Sequence, residues 1–288
     1  MSRKILFFDI DDTLMIGKNH TVPDSARAAL EEAHKNGHLL YINTGRCKSF
    51  TQRLLYDLPF DGFSYACGAH IEHQGKVLFE KFVDREDIDF IAEGLVKTGI
   101  QGIFQGPDLC YFSEPALQEL ARLQGLVREP NPENLFAGQA CYPNLKNFLD
   151  KTYREDYTAP LHLMIEEGMQ VNKLVSFWTD PEAHEEFLEL MAGKPYQFIE
   201  NNNGFTEILP LQYTKASCMD FLLDYFQIDR KDCFVFGDSP NDLPMLTHVG
   251  TSIAMGNSYD SVKEVSDYVT TDIDQDGIWN AMKHFGII

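Results

Sequence analysis

The chain has 288 residues, 44% hydrophobic and 24% charged, and a rough prior of one domain per ~150 residues predicts two domains. A formal net charge of −20, without a cluster of Lys and Arg, argues against nucleic acid or an anionic membrane as a partner. The six cysteines are scattered without a CxxC pair, and no apolar run reaches the ~18 residues of a membrane span. We therefore expect a cytoplasmic protein with reduced thiols, and nothing demands more than a monomer.

The first third of the chain alternates predicted strands and helices. The segment KILFFDI predicts a buried strand, and TVPDSARAALEEAHKNG predicts a helix that Thr21 caps and Gly37 ends. HLLYINTG predicts a second strand, followed by a helix from about Ser49 to Tyr56. GFSYACG and HIEHQGKVLFEK predict further strands with a hairpin turn. This alternation is typical of a doubly wound, mostly parallel sheet.

The middle of the chain differs in character. It is richer in Pro, Gly and Asn, and it predicts two helices and five short strands: a helix near 87–98, strands in QGIFQ, LCYFS, NKLVSFW, QFIE and FTEIL, and the helix PEAHEEFLELM. We interpret residues 84–210 as an inserted α+β domain.

The last third returns to the pattern of the first. It predicts a helix in TKASCMDFLLDYFQI, a buried strand in DCFVFGD, short strands in GTSIAM and DYVTT, and a final helix near 277–285. Residues 1–83 and 211–288 are therefore expected to form one core domain from two segments.

Three predicted strands end in polar signatures: FFDIDDT, YINTGR and FVFGDSPND. Ligands of open parallel sheets bind at the carboxyl ends of the strands. The residues expected along one crevice there are Asp9, Asp11, Thr44, Asp238 and Asp242. Crowded carboxylates repel one another unless a cation binds between them, and a set of oxygen ligands favours a hard ion such as Mg2+.

Each signature has a plain structural alternative. A DxD after a strand is about as often a turn or a helix cap, TGR alone is more commonly a turn, and Lys215 before an apolar helix is by default a solvated lysine. The GDSPND segment is more specific, because two acids around a Pro-Asn turn after a buried strand are costly to assemble. The order of all four signatures along one α/β chain is more specific than any member.

That combination resembles the haloacid dehalogenase-like hydrolase superfamily, whose motifs are DxDxT, a Thr or Ser after the second strand, a Lys, and GDxxxD. The segments GDSPNDLPML, IAMGNSYDSVKEVSDYVTTDIDQDG and TGR are especially similar to the Cof-type phosphatases of its IIB branch. The resemblance covers about 4–81 and 214–286. It implies a Rossmann-like core and, between the second motif and the lysine, an α+β cap domain over 84–210.

The resemblance also implies a role for each motif residue. Asp9 would be the nucleophile and Asp11 the general acid and base. The phosphate would be bound by Thr44, Gly45, Lys215 and Asn241. Mg2+ would be held by Asp9, the Asp11 carbonyl, Asp238 and Asp242. Candidates for contacts with the substrate or the cap are Arg46, Lys173 and His162.

Three positions depart from the family pattern. Cys67 stands where relatives often have Asn, so a contact from that position is in doubt. Ala216 replaces the Gly that usually follows the lysine, and Asp12 replaces a frequent Gly in the first motif. We expect Asp12 to serve the turn.

The leading hypothesis is a Mg2+-dependent phosphatase that hydrolyses a small phosphorylated metabolite, such as a sugar phosphate, through an aspartyl-phosphate. One alternative is a hexose phosphomutase of the same superfamily. Another, of a different class, is a non-catalytic phospho-acceptor or metabolite-binding module.

Overall fold

The computed structural model describes residues 3–18, 20–51, 53–112, 158–160, 170–178, 180–201, 204–248 and 250–288. Among these residues the α-helices are Asp24–Lys35 (α1), Arg85–Thr98 (α2), Pro181–Met191 (α3), Lys215–Phe226 (α4), Leu243–Leu246 (α5), Asp260–Lys263 (α6) and Gly277–His284 (α7). The β-strands are Ile5–Phe8 (β1), Leu39–Asn43 (β2), Gly62–Tyr65 (β3), His70–His73 (β4), Lys76–Glu80 (β5), Gln101–Gln105 (β6), Cys110–Phe112 (β7), Thr158–Pro160 (β8), Lys173–Phe177 (β9), Tyr196–Asn201 (β10), Phe205–Pro210 (β11), Cys233–Gly237 (β12), Thr251–Ala254 (β13) and Tyr268–Val269 (β14).

The chain forms two compact units. The first, called here the core unit, comprises Met1–Arg46, Gln52–Glu80 and Tyr213–Ile288. The second, called here the inserted unit, comprises Cys47–Thr51 and Lys81–Gln212. The use of the inserted unit as a cap stays a prediction.

The core unit is built on an eight-stranded sheet of order β14-β13-β12-β1-β2-β3-β4-β5. The strands from β14 through β3 pair in parallel, whereas β4 and β5 extend the sheet as an antiparallel hairpin. The prediction of a doubly wound, mostly parallel core sheet is confirmed.

Strand β1 lies at the centre of this sheet and is buried on both faces. Leu6 and Phe8 belong to a hydrophobic cluster that includes residues of α1 and α7, while Ile5 and Phe7 belong to a second cluster that includes residues of α4 and α5. Successive strand side chains point to opposite faces, so an unbroken apolar run suits a strand between two helical layers.

The strand order reverses at β1. From β1 the chain proceeds through α1 to β2 and β3 on one side, whereas β12, β13 and β14 lie on the other side. Such a topological switch point leaves a crevice beyond the carboxyl ends of the strands. The residues that follow β1 and β12 therefore lie at the standard position for a ligand.

Two local predictions are wrong. The helix expected over 49–56 is replaced by two 3-10 helices, Lys48–Phe50 in the inserted unit and Arg53–Asp57 in the core unit. The first stops because Thr51 is extended, with its hydroxyl on the Cys47 carbonyl at 3.1 Å. Helix α1 begins at Asp24 after Pro23, without a side-chain cap, so Thr21 is not its cap.

The inserted unit contains a six-stranded sheet of order β10-β11-β9-β6-β7-β8. Its neighbouring strands are antiparallel except for β7 and β8. A hydrophobic cluster joins this sheet to α2 and α3. Among the described residues, no helix combines the length and apolar character needed to cross a membrane.

Candidate active site

Three carboxylates converge where β1 and β12 end. Asp9 directly follows β1, Asp238 directly follows β12, and Asp242 ends the 3-10 helix Pro240–Asp242. All three are buried, and one carboxylate oxygen from each lies within 4.8 Å of those of the other two. We call these three residues the acid cluster.

Lys215 supplies a positive charge inside the acid cluster. Its Nζ atom lies 2.5 Å from Oδ1 of Asp9 and 2.6 Å from Oδ1 of Asp242, and the residue is 2% exposed. Lys215 is the first residue of α4, where Thr214 forms a capping box with Ser217. Its backbone carbonyl also accepts a hydrogen bond of 2.8 Å from Nδ2 of Asn43, the last residue of β2. The lysine is thus fixed by a helix cap, by a neighbouring strand and by two carboxylates.

Asp238 and Asp242 are joined through the backbone of their own turn. One carboxylate oxygen of Asp242 accepts hydrogen bonds from the backbone N–H groups of Asp238, at 3.0 Å, and Ser239, at 3.2 Å. A Cβ atom at Gly237 would lie 2.9 Å from the Asp242 carboxylate, which is why the turn needs glycine there. The Asp238 carboxylate accepts a 2.7 Å hydrogen bond from the hydroxyl of buried Thr13.

The electrostatics of the acid cluster follow from burial and crowding. The pKa of Asp9 is raised to about 7. Burial is the largest cause, Lys215 offsets it only in part, and the neighbouring acids Asp242 and Asp11 raise the pKa further. Burial, reinforced by Asp9 and Asp242, raises the pKa of Asp238 to about 8. Burial lowers the pKa of Lys215, but the carboxylates of Asp242 and Asp9 outweigh it, so the pKa is raised and the lysine stays charged.

The acid cluster fits a divalent cation. Three buried carboxylates lie around one ammonium group, which pairs with two of them. The raised pKa values of Asp9 and Asp238 mean that the site binds protons when no other cation is present. The donors are all oxygen atoms, the set that Mg2+ prefers over softer ions.

Asp11 is not a member of the acid cluster; its side chain pairs with Arg46. Nη2 of Arg46 lies 2.8 and 2.7 Å from the two carboxylate oxygens of Asp11, and Nε donates to one of them at 3.1 Å. The Asp11 side chain is 47% exposed, whereas the Arg46 side chain is 12% exposed. The carboxylate of Asp11 is thus accessible, unlike that of buried Asp9, and Arg46 orients it.

Thr44 and Gly45 follow β2 at the same edge of the sheet. The Thr44 hydroxyl accepts a 3.1 Å hydrogen bond from the backbone N–H of Arg46. The Thr44 carbonyl accepts one of 3.0 Å from Cys67, which has left-handed backbone angles of φ 54 and ψ 33. Asn readily adopts this left-handed conformation, so the backbone at position 67 can accommodate the Cys found here or the Asn expected from relatives.

The remaining predicted site residues do not join the acid cluster. Asn241 is exposed, and its Oδ1 atom accepts a 2.5 Å hydrogen bond from the Ser239 hydroxyl. Lys173 is buried in the inserted unit, where it pairs with Glu207 at 2.7 Å. His162 lies outside the described residues.

Thr13 and Asn43 contact site residues but had no role predicted from the sequence. Thr13 is the threonine of the DxDxT pattern, and this position is the signal that could have identified it as the partner of Asp238. Asn43 directly precedes Thr44 and carried no signal, because its partner, the Lys215 carbonyl, belongs to a distant segment.

The chain matches known proteins along its whole length. The family model described as haloacid dehalogenase-like hydrolase covers residues 6–282. The putative phosphatase YkrA of Bacillus subtilis (strain 168) is 27% identical over 100% of both chains. The 5-amino-6-(5-phospho-D-ribitylamino)uracil phosphatase YwtE of the same organism is 28% identical, over 96% of this chain and 95% of its own.

Solved structures also match the chain along its whole length. A hypothetical protein from Geobacillus kaustophilus HTA426 is 26% identical, with a TM-score of 0.79 and coverage of 100% of both chains. The HAD subclass IIB sugar phosphatase BT4131 is 28% identical, with a TM-score of 0.74 and coverage of 99% of this chain and 100% of its own.

Proposed function

The chain belongs to the haloacid dehalogenase-like hydrolase family and is a phosphoric monoester hydrolase, and we propose that it is Mg2+-dependent and hydrolyses a small phosphorylated metabolite. The observation that carries the proposal is the acid cluster with Lys215 buried in it. A buried ammonium group and a cation site beside one carboxylate suit attack on an anionic phosphate.

The proposed nucleophile is Asp9. A carboxylate oxygen of Asp9 attacks phosphorus while the bond from phosphorus to the ester oxygen breaks, which leaves an aspartyl-phosphate and a free alcohol. Two features support this role: Asp9 follows the central strand β1, and its backbone N–H donates to the Phe236 carbonyl at 3.2 Å. The carboxylate is thus carried by rigid backbone.

The proposed general acid and base is Asp11. Its carboxyl proton passes to the departing ester oxygen in the first step. In the second step the carboxylate takes a proton from water as that water attacks phosphorus, which frees Asp9 and inorganic phosphate. The 47% exposure of its side chain supports this role, because the acid must reach both alcohol and water, and Arg46 orients the carboxylate.

The remaining core residues are proposed to bind phosphate and metal. Lys215, Thr44, Gly45 and Asn241 would bind the phosphoryl oxygens. The acid cluster and the Asp11 carbonyl would hold Mg2+. When bound, this ion reduces the repulsion between the Asp9 carboxylate and the substrate phosphate.

A sugar phosphate or related polyol phosphate is the proposed substrate class. Support comes from two relatives that are each 28% identical, one described as a sugar phosphatase and the other as acting on a phosphoribityl compound. The inserted unit is proposed to act as a cap, with Arg46, Lys173 and His162 as candidates for substrate or cap contacts. A cytoplasmic location fits the five free cysteines among the described residues, and we expect a monomer.

The test is a panel of phosphate esters incubated with the purified protein, with and without Mg2+. We expect release of inorganic phosphate from sugar or polyol phosphates, loss of activity with EDTA, and recovery when Mg2+ is restored. Isomerised sugar phosphate with little free phosphate would instead indicate a phosphomutase. A stable phosphoprotein that hydrolyses none of the esters would indicate a phospho-acceptor module.

A further inference from the structure

The segment Gly256–Tyr259 contacts both loops that carry the acids. It follows β13 and belongs to neither the first nor the fourth motif. The Asn257 side chain donates from Nδ2 to the Asp12 carbonyl at 2.7 Å. The backbone N–H of Tyr259 donates to the Asp238 carbonyl at 3.0 Å. One short segment therefore ties the loop after β1 to the loop after β12.

The Asn257 side chain is held at its other end as well. Its Oδ1 atom accepts a 2.9 Å hydrogen bond from the backbone N–H of Ile273. Both ends of the amide group are thus engaged, although the residue is exposed. An exposed side chain that bridges two distant backbone segments loses conformational entropy, so its hydrogen bonds must compensate for that loss.

The target of Asn257 is a residue in an uncommon conformation. Asp12 has a φ of 56°, in the left-handed region that few residues other than glycine adopt. Its N–H donates to the Met15 carbonyl at 2.8 Å, and its carboxylate accepts from the Gly17 N–H at 2.8 Å. With the bond from Asn257, the peptide groups on both sides of Asp12 are fixed.

The fixed backbone of Asp12 also affects its neighbour Asp11. The Asp12 N–H and the Asp11 carbonyl belong to one planar peptide group, so the hydrogen bond from this N–H to Met15 sets the direction of that carbonyl. Asn257 holds the next peptide group, that of the Asp12 carbonyl, and so restricts the rotation about the backbone bonds of Asp12 that would turn the first peptide group. The Asp11 carbonyl is one of the proposed ligands of Mg2+. A small rotation of this peptide would displace a ligand without touching any carboxylate.

We propose that Asn257 is a positioning residue that holds the Asp12 carbonyl relative to Asp238, limits rotation of the adjacent Asp11–Asp12 peptide and so sets the affinity of the site for Mg2+. This inference rests on the proposed function. Groups that orient metal ligands commonly change metal affinity or activity by 10-fold or more when they are removed.

The test compares two exposed asparagines that donate to backbone or side-chain oxygens. Asn257→Asp keeps an acceptor for the Ile273 N–H but removes the donor to Asp12. The control is Asn280→Asp, because Nδ2 of Asn280 donates to the Thr271 hydroxyl at 2.9 Å and to the Gln275 carbonyl at 3.2 Å. The two Asn→Asp variants each add one negative charge. A third variant, Asn257→Ala, removes the donor to Asp12 without adding a charge.

The main measurement is calorimetric titration of the metal-free protein with Mg2+. We expect Asn257→Asp and Asn257→Ala to bind Mg2+ on the order of 10-fold more weakly than the wild type, and Asn280→Asp to bind within about twofold of it. Hydrogen exchange should accelerate in peptides covering 9–17 in both Asn257 variants and stay unchanged there in Asn280→Asp. If Asn257→Asp does not fold, Asn257→Ala decides.

Two results would overturn the positioning role alone: wild-type Mg2+ affinity in the Asn257 variants, or an equal loss in Asn280→Asp, which would indicate general loosening of the loop. A wild-type protein that neither binds Mg2+ nor hydrolyses phosphate esters would overturn the proposed function, and the positioning role with it. Measuring the wild type first separates these cases.

Discussion

Lys215 and Asp242 form an ion pair of 2.6 Å in which neither side chain is more than 1% exposed. The same ammonium group lies 2.5 Å from Asp9, so one cation serves two buried carboxylates. Asp238, the third acid, has the Thr13 hydroxyl as a partner instead. The site thus holds three acidic side chains and one lysine, and replacing any of these residues should have a measurable effect.

Removing the buried lysine should destabilise the protein strongly. Lys215→Met leaves two carboxylates without their cation, and breaking a buried pair from one side typically costs about 3–5 kcal/mol. We expect a loss of this size in urea unfolding of the metal-free protein at pH 8, together with loss of phosphatase activity. Lys231→Met is the control, because Lys231 is an exposed residue paired with exposed Asp229. Equal stability of the two variants would contradict the role of Lys215.

Replacing the proposed nucleophile should abolish turnover without unfolding the protein. Asp9→Asn keeps the shape of the side chain but removes the attacking carboxylate, so we expect kcat to fall by about 10^4-fold or more. Steady-state assays with an aryl phosphate and circular dichroism would measure activity and fold. Asp229→Asn, the same change at an exposed position, should retain full activity. Substantial turnover by Asp9→Asn would rule out the nucleophile role.

Mg2+ binding should strengthen as pH rises. The pKa values of about 7 for Asp9 and about 8 for Asp238 mean that protons compete with the metal below these values. We therefore expect the Kd for Mg2+ to fall between about pH 6 and pH 8.5, with release of protons on binding. Calorimetry in two buffers of different ionisation enthalpy would measure both effects.

The stability of the metal-free protein should show the opposite trend. Both carboxyl groups have folded pKa values above the ordinary 3.8, so the folded state binds more protons than the unfolded state in this range. The stabilisation is complete below about pH 4 and is lost as pH rises through about 7 and 8. In thermal unfolding, these two groups should lower the Tm of the metal-free protein as pH rises through this range. Adding Mg2+ at the higher pH should raise the Tm again. A Tm profile that Mg2+ leaves unchanged would contradict it.

Thr13 should act through Asp238. Thr13→Val removes a buried hydroxyl that donates to a carboxylate, a change that typically costs about 1.5–3 kcal/mol. We also expect Mg2+ affinity to fall on the order of 10-fold, because the carboxylate loses the group that orients it. Thr13→Ser keeps the hydroxyl and should recover most of both properties. A similar loss in Thr13→Ser would indicate that the methyl group, through packing, is what matters.

The sequence was sufficient to predict the core sheet and the ends of its strands. Apolar runs such as ILFF, followed at once by acids, define both the buried strand and the residue at its carboxyl end. The ligand-binding edge of a parallel sheet then follows from general rules of topology. For this reason the placement of Asp9 and Asp238 at the carboxyl ends of two buried strands needed no structure.

The contacts made by individual side chains could not be predicted. Whether Asp11 faces the acid cluster or Arg46 depends on loop geometry that periodicity does not describe. The helix expected after β2 does not form, because hydrogen bonds within the inserted unit, such as that from Ser49 to the Gly106 carbonyl at 2.6 Å, join this segment to residues far along the chain. Long-range pairing overrides local propensity at such positions.

The pairing of β1 with β12 also has a consequence for synthesis. Ile5–Phe8 lie beside Cys233–Phe236, so the strand that carries Asp9 cannot acquire this neighbour until most of the chain has left the ribosome. Contacts between residues so distant along the chain are slow to form because loop closure comes first. A nascent chain truncated within α4 would carry Asp9, Asp11 and Thr44 but none of the partners from the fourth motif. Catalytic competence therefore arises late, when the last third of the polypeptide completes the sheet.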